Sequence, residues 1–274
     1  MKNQREEWYD ATAKVAVTIV DVTDAAQALV SGHLCGPTSA YFLTKALAAA
    51  ALLGSEMSEK DEVLSLQMKC RGPLGGFNVE CTAAGTLRGY TEKKVLDDFD
   101  GLGVPDPRKV VGERQVQVTR SVPGRIISQG VSASIDGYLA GSLQRRAVIY
   151  LEAYVGDDVE VKEARGVMVE ELPDADHTGV LSVDLLGKRA SGALAVSSRN
   201  ILAKLGLQHA ELRKTTPLSF ACRCSPERAA AMLAALPSEE RASMPPYVDV
   251  TCHMCGRTFG VKTNASHPSR GSMA

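Results

Sequence analysis

Apolar positions along this chain fall into separate rhythms, each predicting a kind of element. Alternation over residues 63–70 places Leu64, Leu66, Met68 and Cys70 on one face. Phe77, Val79 and Cys81 repeat that alternation after Arg71-Gly72-Pro73-Leu74-Gly75-Gly76, so the stretch predicts a β-hairpin. A β-branched run over 14–21 predicts a strand, and residues 24–32 a short helix. Proline after Gly36, then Tyr41, Phe42, Leu47 and a run of alanines up to Gly54, predict a longer helix able to approach a sheet closely. A Gly/Pro-rich loop spans 101–108. Residues 115–120 and 130–133 offer strands, 135–148 a helix, and 153–161 with 166–171 complete an α+β domain over residues 1–172.

The pattern then changes. Leu172-Pro173-Asp174-Ala175-Asp176-His177 breaks it, and residues 173–216 read as a linker of marginal helices, at 197–205 and 208–213, too short to hold without docking. Residues 217–263 form a third region. Ser225-Pro226-Glu227 is an N-cap sequence for a helix over 227–236, Ser238 opens a short turn that stops at Met244-Pro245-Pro246, and strands over 247–251 and 258–262 flank a turn eased by Gly256. Residues 264–274 are expected to be disordered.

Composition narrows the class. With 274 residues, 45% hydrophobic content and a net charge of -1, the chain can bury a sizeable core and has no bulk attraction to nucleic acid or anionic membranes. The apolar run over 46–53 is too short to span a bilayer, and the opening residues lack a secretory apolar region. Seven cysteines, four of them in metal spacing, fit a reducing compartment, which predicts a cytosolic protein.

Those four cysteines carry the chemistry. Cys222 and Cys224 form a Cys-x-Cys pair, and Cys252 and Cys255 a Cys-x-x-Cys pair, both at turns where two sulfurs can converge on one Zn²⁺. The same sulfurs are oxidisable, so from the residues alone the motif is either a staple or a switch. His253 adjoins Cys252 too closely for both to ligate one metal, and His33, His177 and His209 are expected at the surface. Cys70 and Cys81 fall on the apolar face of the hairpin and, with Cys35, are read as packing residues. Gly72, Gly75 and Gly76 match no phosphate-binding pattern, and nothing resembles a serine-type triad.

The chain resembles the redox-regulated thirty-three-kilodalton heat-shock protein family over nearly its full length. The most specific segments are Phe220 to Arg228, holding Cys222, Cys224, Ser225 and Glu227, and Val248 to Gly256, holding Cys252 and Cys255. Arg71 to Gly75, Gly85 to Tyr90, Ser128-Gln129-Gly130, Tyr138 with Ser142 and Gln144, and Val167 to Pro173 match further family elements in order. Leu143 stands where the family usually carries glutamate, and the linker is less acidic than is typical.

The resemblance implies a zinc-dependent, ATP-independent holdase, not an enzyme. One Zn²⁺ would be bound by Cys222, Cys224, Cys252 and Cys255 in a latent reduced state. Oxidation to Cys222-Cys224 and Cys252-Cys255 disulfides would release the metal and free the linker to bind unfolding client proteins, with a homodimer as the active form. Two rival readings stand beside it: a constitutive zinc-ribbon interaction module, and a thiol oxidoreductase using Cys252 and Cys255, which would need a strand-to-helix setting.

Overall fold

A helix that buries every side chain except those of Pro37, Tyr41 and Lys45 organises the larger part of the protein. The computed structural model describes residues 2–172 and 194–263, and the chain divides into two compact units, Met1–Ala221 and Cys222–Ala274. In the first unit the elements run β1 (Gln4–Asp10), β2 (Val15–Asp21), α1 (Thr23–His33), α2 (Pro37–Leu53), β3 (Val63–Cys70), β4 (Gly76–Thr82), β5 (Thr86–Thr91), α3 (Pro107–Val110), β6 (Arg114–Val122), β7 (Arg125–Ser132), α4 (Ile135–Ser142), β8 (Arg146–Val155) and β9 (Val161–Glu171). After the described gap come α5 (Ser198–Lys204), β10 (Glu211–Pro217) and β11 (Ser219–Phe220).

Two sheets result, with strand orders β10-β1-β2-β9-β8 and β11-β5-β4-β3-β6-β7. Helix α2 packs against β2, β8 and β9 of one sheet and against β3, β4 and β5 of the other. That double burial explains its apolar character all round, which a helix resting on one sheet would not need. Its alanines permit the approach, and at Gly166 of β9 an added Cβ would stand 2.8 Å from Leu52.

The N-terminus of α2 is capped from a distance. Its N-cap residue is Gly36, without a side chain to offer, and Asp100 instead accepts from the Thr38 N–H at 2.8 Å and from the Leu96 N–H at 2.9 Å. Gly36 is required here because a Cβ would lie 2.2 Å from the Asp100 carboxylate. Asp100→Ala is expected to cost about 1–2 kcal/mol in urea unfolding, since it strips an anion and an acceptor from a helix N-terminus.

The opposite face of the first sheet is covered by chain that returns from far along the sequence. Val15, Val17 and Ile19 of β2 and Val167 and Val169 of β9 form one buried cluster with Trp8, Leu194, Ile201, Leu202, Leu207 and Ala210. Ser197 caps α5 by accepting from the Asn200 N–H. Arg199 lies 4.7 Å from the Trp8 ring centroid and donates to the Ala210 carbonyl.

Several expectations are corrected. The helix expected over 135–148 stops at Ser142, and Arg146–Val155 is a ten-residue strand paired along β9. The helix expected over 208–213 is absent; Glu211–Pro217 is an edge strand antiparallel to β1. His33 is buried, its Nε2 2.9 Å from the Gly89 carbonyl, whereas His209 is exposed as expected. Cys81 is fully buried as expected, but Cys70 is only half-buried at the strand end. His177, residues 173–193 of the expected linker and the expected disordered tail lie outside the described residues. No helix among the described residues is long and apolar enough to cross a membrane.

Candidate metal centre

Two short elements and one hairpin make up the described part of the second unit: α6 (Pro226–Ala234), α7 (Ser238–Ala242), and β12 (Tyr247–Thr251) paired antiparallel with β13 (Thr258–Lys262). The ladder closes at Thr251 opposite Thr258, so residues 252–257 must turn tightly. Cys252 N–H donates to the Arg257 carbonyl at 2.8 Å, and the Cys252 carbonyl accepts from the N–H groups of Cys255 and Gly256. Gly256 takes a left-handed φ of 76°, which lets the chain leave the turn immediately after Cys255. This geometry brings the side chains of Cys252 and Cys255 to one side.

The first pair is held by the helix that follows it. Ser225 caps α6 by accepting from the Arg228 N–H at 3.2 Å, and the Arg228 guanidinium donates to the Arg223 carbonyl at 2.9 Å. Cys222 and Cys224 therefore sit in a loop pinned at its middle and at its end.

The two pairs converge. The four sulfurs of Cys222, Cys224, Cys252 and Cys255 all lie within 4.8 Å of one another, with Cys222 Sγ 3.8 Å from Cys252 Sγ and Cys224 Sγ 3.4 Å from Cys255 Sγ. A tetrahedral ion bound to sulfur at ~2.3 Å requires sulfurs about 3.8 Å apart, so the donor set and its spacing fit a divalent ion of that type. Cys255 is buried and the other three are half-buried. Burial pushes the Cys224 thiol up, and hydrogen bonding to the neighbouring sulfurs pushes it further; burial raises Cys255 as well. Four thiolates crowded this closely need a cation to hold their charges together. His253 is exposed and is not part of the cluster.

The remaining cysteines behave differently. Burial pushes Cys81 up to about 11 and also raises Cys35 and Cys70, which disfavours the reactive thiolate at all three.

The family model described as Hsp33 protein matches residues 7–262. The chain belongs to the Hsp33 family. Two relatives of this chain, both named 33 kDa chaperonin, are a protein from Symbiobacterium thermophilum, 31% identical over 83% of each chain, and one from Lacticaseibacillus paracasei, 27% identical over 87% of this chain and 88% of the relative. A crystal structure of the Thermotoga maritima 33 kDa chaperonin matches the fold with a TM-score of 0.81 over 96% of each chain at 19% identity. The α+β architecture, with a cysteine cluster near the C-terminus, is as expected.

Proposed function

We propose that this chain is an ATP-independent holding chaperone whose activity is controlled by the redox state of Cys222, Cys224, Cys252 and Cys255. The converged four-sulfur cluster carries this reading, and the chaperonin names of its relatives support the class of activity. Zn²⁺ is the ion proposed, because four sulfurs in tetrahedral spacing suit it and it has no redox chemistry of its own. When bound it supplies a cross-link between the two pairs and nothing catalytic. A reducing, cytoplasmic compartment is where four thiols persist as ligands.

Oxidation then acts on the sulfurs. Within each pair, two thiolates give two electrons to one peroxide molecule, a sulfur–sulfur bond forms, and with two protons the peroxide leaves as two waters. The proposed pairings are Cys222 with Cys224 and Cys252 with Cys255. Once paired, the sulfurs no longer hold a cation, and the second unit loses the link that folds it.

The client surface follows from what that loss would free. Residues 194–217 end just before Cys222 and cover the apolar face of Trp8, Val17, Ile19, Val167 and Val169. Released from it, they would leave a face of that chemistry open to unfolding proteins, a gain of apolar surface suited to holding without turnover. The active form is proposed to be a homodimer.

The test follows zinc release with a metallochromic dye alongside aggregation of a thermally unfolding client. Peroxide-treated protein is expected to lose its zinc and gain holding activity, both reversed by reductant. Retained zinc with unchanged activity would return the reading to a constitutive zinc-ribbon interaction module.

A further inference from the structure

The apolar face beneath residues 194–217 ends in a charged row. Across β2, β9 and β8 the register sets Val17, Val169 and Val148 abreast, then Ile19, Val167 and Tyr150, then Asp21, Arg165 and Glu152. Residues two apart on a strand share a face. The third row therefore continues the surface on which Val17, Ile19, Val167 and Val169 are buried with Trp8 and Leu194.

That row holds one residue of the covering segment by its backbone. The Leu194 N–H donates to the Glu152 carboxylate at 2.8 Å, and the Leu194 carbonyl accepts from Arg165 Nη1 at 2.5 Å. Arg165 is fixed at its other edge, where Nε donates to Asp21 at 3.1 Å. Asp21 in turn accepts from the Thr23 N–H and hydroxyl. Asp21, Glu152 and Leu194 are all buried. We propose that Glu152 and Arg165 are positioning residues, a latch that keeps residues 194–217 over the apolar face and sets how readily the protein passes from its latent to its holding form.

The place of the latch gives it that part. The covering segment is secured at its far end by the pairing of β10 with β1, close to Cys222, and at its near end by Leu194. Loss of the metal would act on the first of these ends, so the second has to open before the face between them is bared. Leu194 lies outside any strand, and its buried peptide groups have to find partners in the face itself. Removing the Glu152 carboxylate leaves a buried N–H unpaired in the covered form, whereas in the released form water satisfies it. The cost falls on one state alone, which shifts the balance about tenfold or more toward release. The effect on activity rests on the client surface proposed above; the hold on the segment does not.

Hydrogen exchange of the full, reduced, zinc-loaded chain tests the hold. In Glu152→Leu the amides of residues 194–210 are expected to exchange at least tenfold faster than in wild type, with zinc retained and the amides of α2 unchanged. Glu152→Gln keeps an acceptor and should recover most of the protection. Arg165→Lys keeps a cation for Asp21, but one ammonium cannot serve Asp21 and the Leu194 carbonyl from two edges as the guanidinium does; it decides the matter if Glu152→Leu also loses protection in α2. Unchanged exchange over 194–210, or a loss in Glu152→Gln equal to that in Glu152→Leu, would overturn the latch. Glu152→Leu is further expected to hold a thermally unfolding client after a several-fold smaller peroxide dose than wild type needs. Faster exchange with an unchanged dose would overturn the part of the latch in activation. Wild-type protein that gained no holding activity with peroxide would instead fail the redox reading, and the exchange result would stand apart from it.

Discussion

If the four sulfurs hold Zn²⁺ as proposed, a Cys252→Ser, Cys255→Ser protein is expected to lose both the metal and the fold of its second unit, while the body of the first unit stays folded. The reason is the size of what remains without the cross-link. Among the described residues of the second unit, Ala229, Cys255 and Val261 are the buried apolar side chains, and its longest element is the nine-residue α6. Helices and hairpins of that size are marginal alone, whereas a structural zinc is worth on the order of 10 kcal/mol in small peptides near neutral pH. Dispersed amide resonances for 222–263 should collapse in the double variant and, equally, in wild-type protein stripped by a chelator. Resonances of the first unit should hold their positions except for residues 194–217 and the face of Trp8, Val17, Ile19, Val167 and Val169 that they cover. Undiminished zinc affinity in the variant would mean that the four sulfurs are not the binding set.

Arg120→Met is expected to destabilise the first unit by about 3–5 kcal/mol at neutral pH, because it strands a buried carboxylate. Glu62 is fully buried at the entry to β3; Arg120 of β6 donates to it at 2.5 Å, and the N–H groups of Ser58 and Glu59 donate to its second oxygen at 3.0 and 3.2 Å. Burial alone would raise the Glu62 carboxyl, but Arg120 and the two amides overcome it and hold it below its ordinary value. A depressed carboxyl contributes stability that is complete above the unfolded-state value and is lost as pH falls through the folded one. The gap between wild type and variant should therefore narrow on acidification, because the stranded carboxylate can take up a proton. Urea unfolding at neutral pH and at about pH 4 measures both the size and the trend. A gap that widened toward acid would contradict the assignment.

Legibility from sequence followed the range over which each element is determined. The β3–β4 hairpin and α2 were readable because their periodicity and turn residues are local, and the four-cysteine cluster because each sulfur pair is local and the pairs need only meet. Strand β1 was not readable: it buries Arg5, Glu6 and Asp10 along with Trp8, and an arginine at 1% exposure, donating to the Ala51 carbonyl, gives no apolar alternation to detect. Strand β10 failed for the opposite reason. Its Glu211, Leu212, Arg213 and Lys214 are exposed, and its strand character comes from pairing with β1 some two hundred residues earlier. Between them lies β8, where Val148, Ile149 and Tyr150 carried a strand signal that the preceding helical pattern over 135–142 masked. The remote cap at Asp100 left no local trace, since it acts across the fold on a helix whose own N-cap is glycine.

The pairing of β1 with β10 also sets an order of events during synthesis. The first strand leaves the ribosome with no partner on one side, and the partner is made last, after every other strand of its sheet. At roughly 5–20 residues per second, the wait from Asp10 to Pro217 is about 10–40 s. Through that interval β1 presents an open edge and Trp8 lacks the α5 segment that covers it. The charges of Arg5, Glu6 and Glu7 on that edge are what discourage wrong pairing in the meantime. Nascent chains of this protein are thus born with an exposed edge and apolar face of the kind that chaperones cover in unfinished proteins.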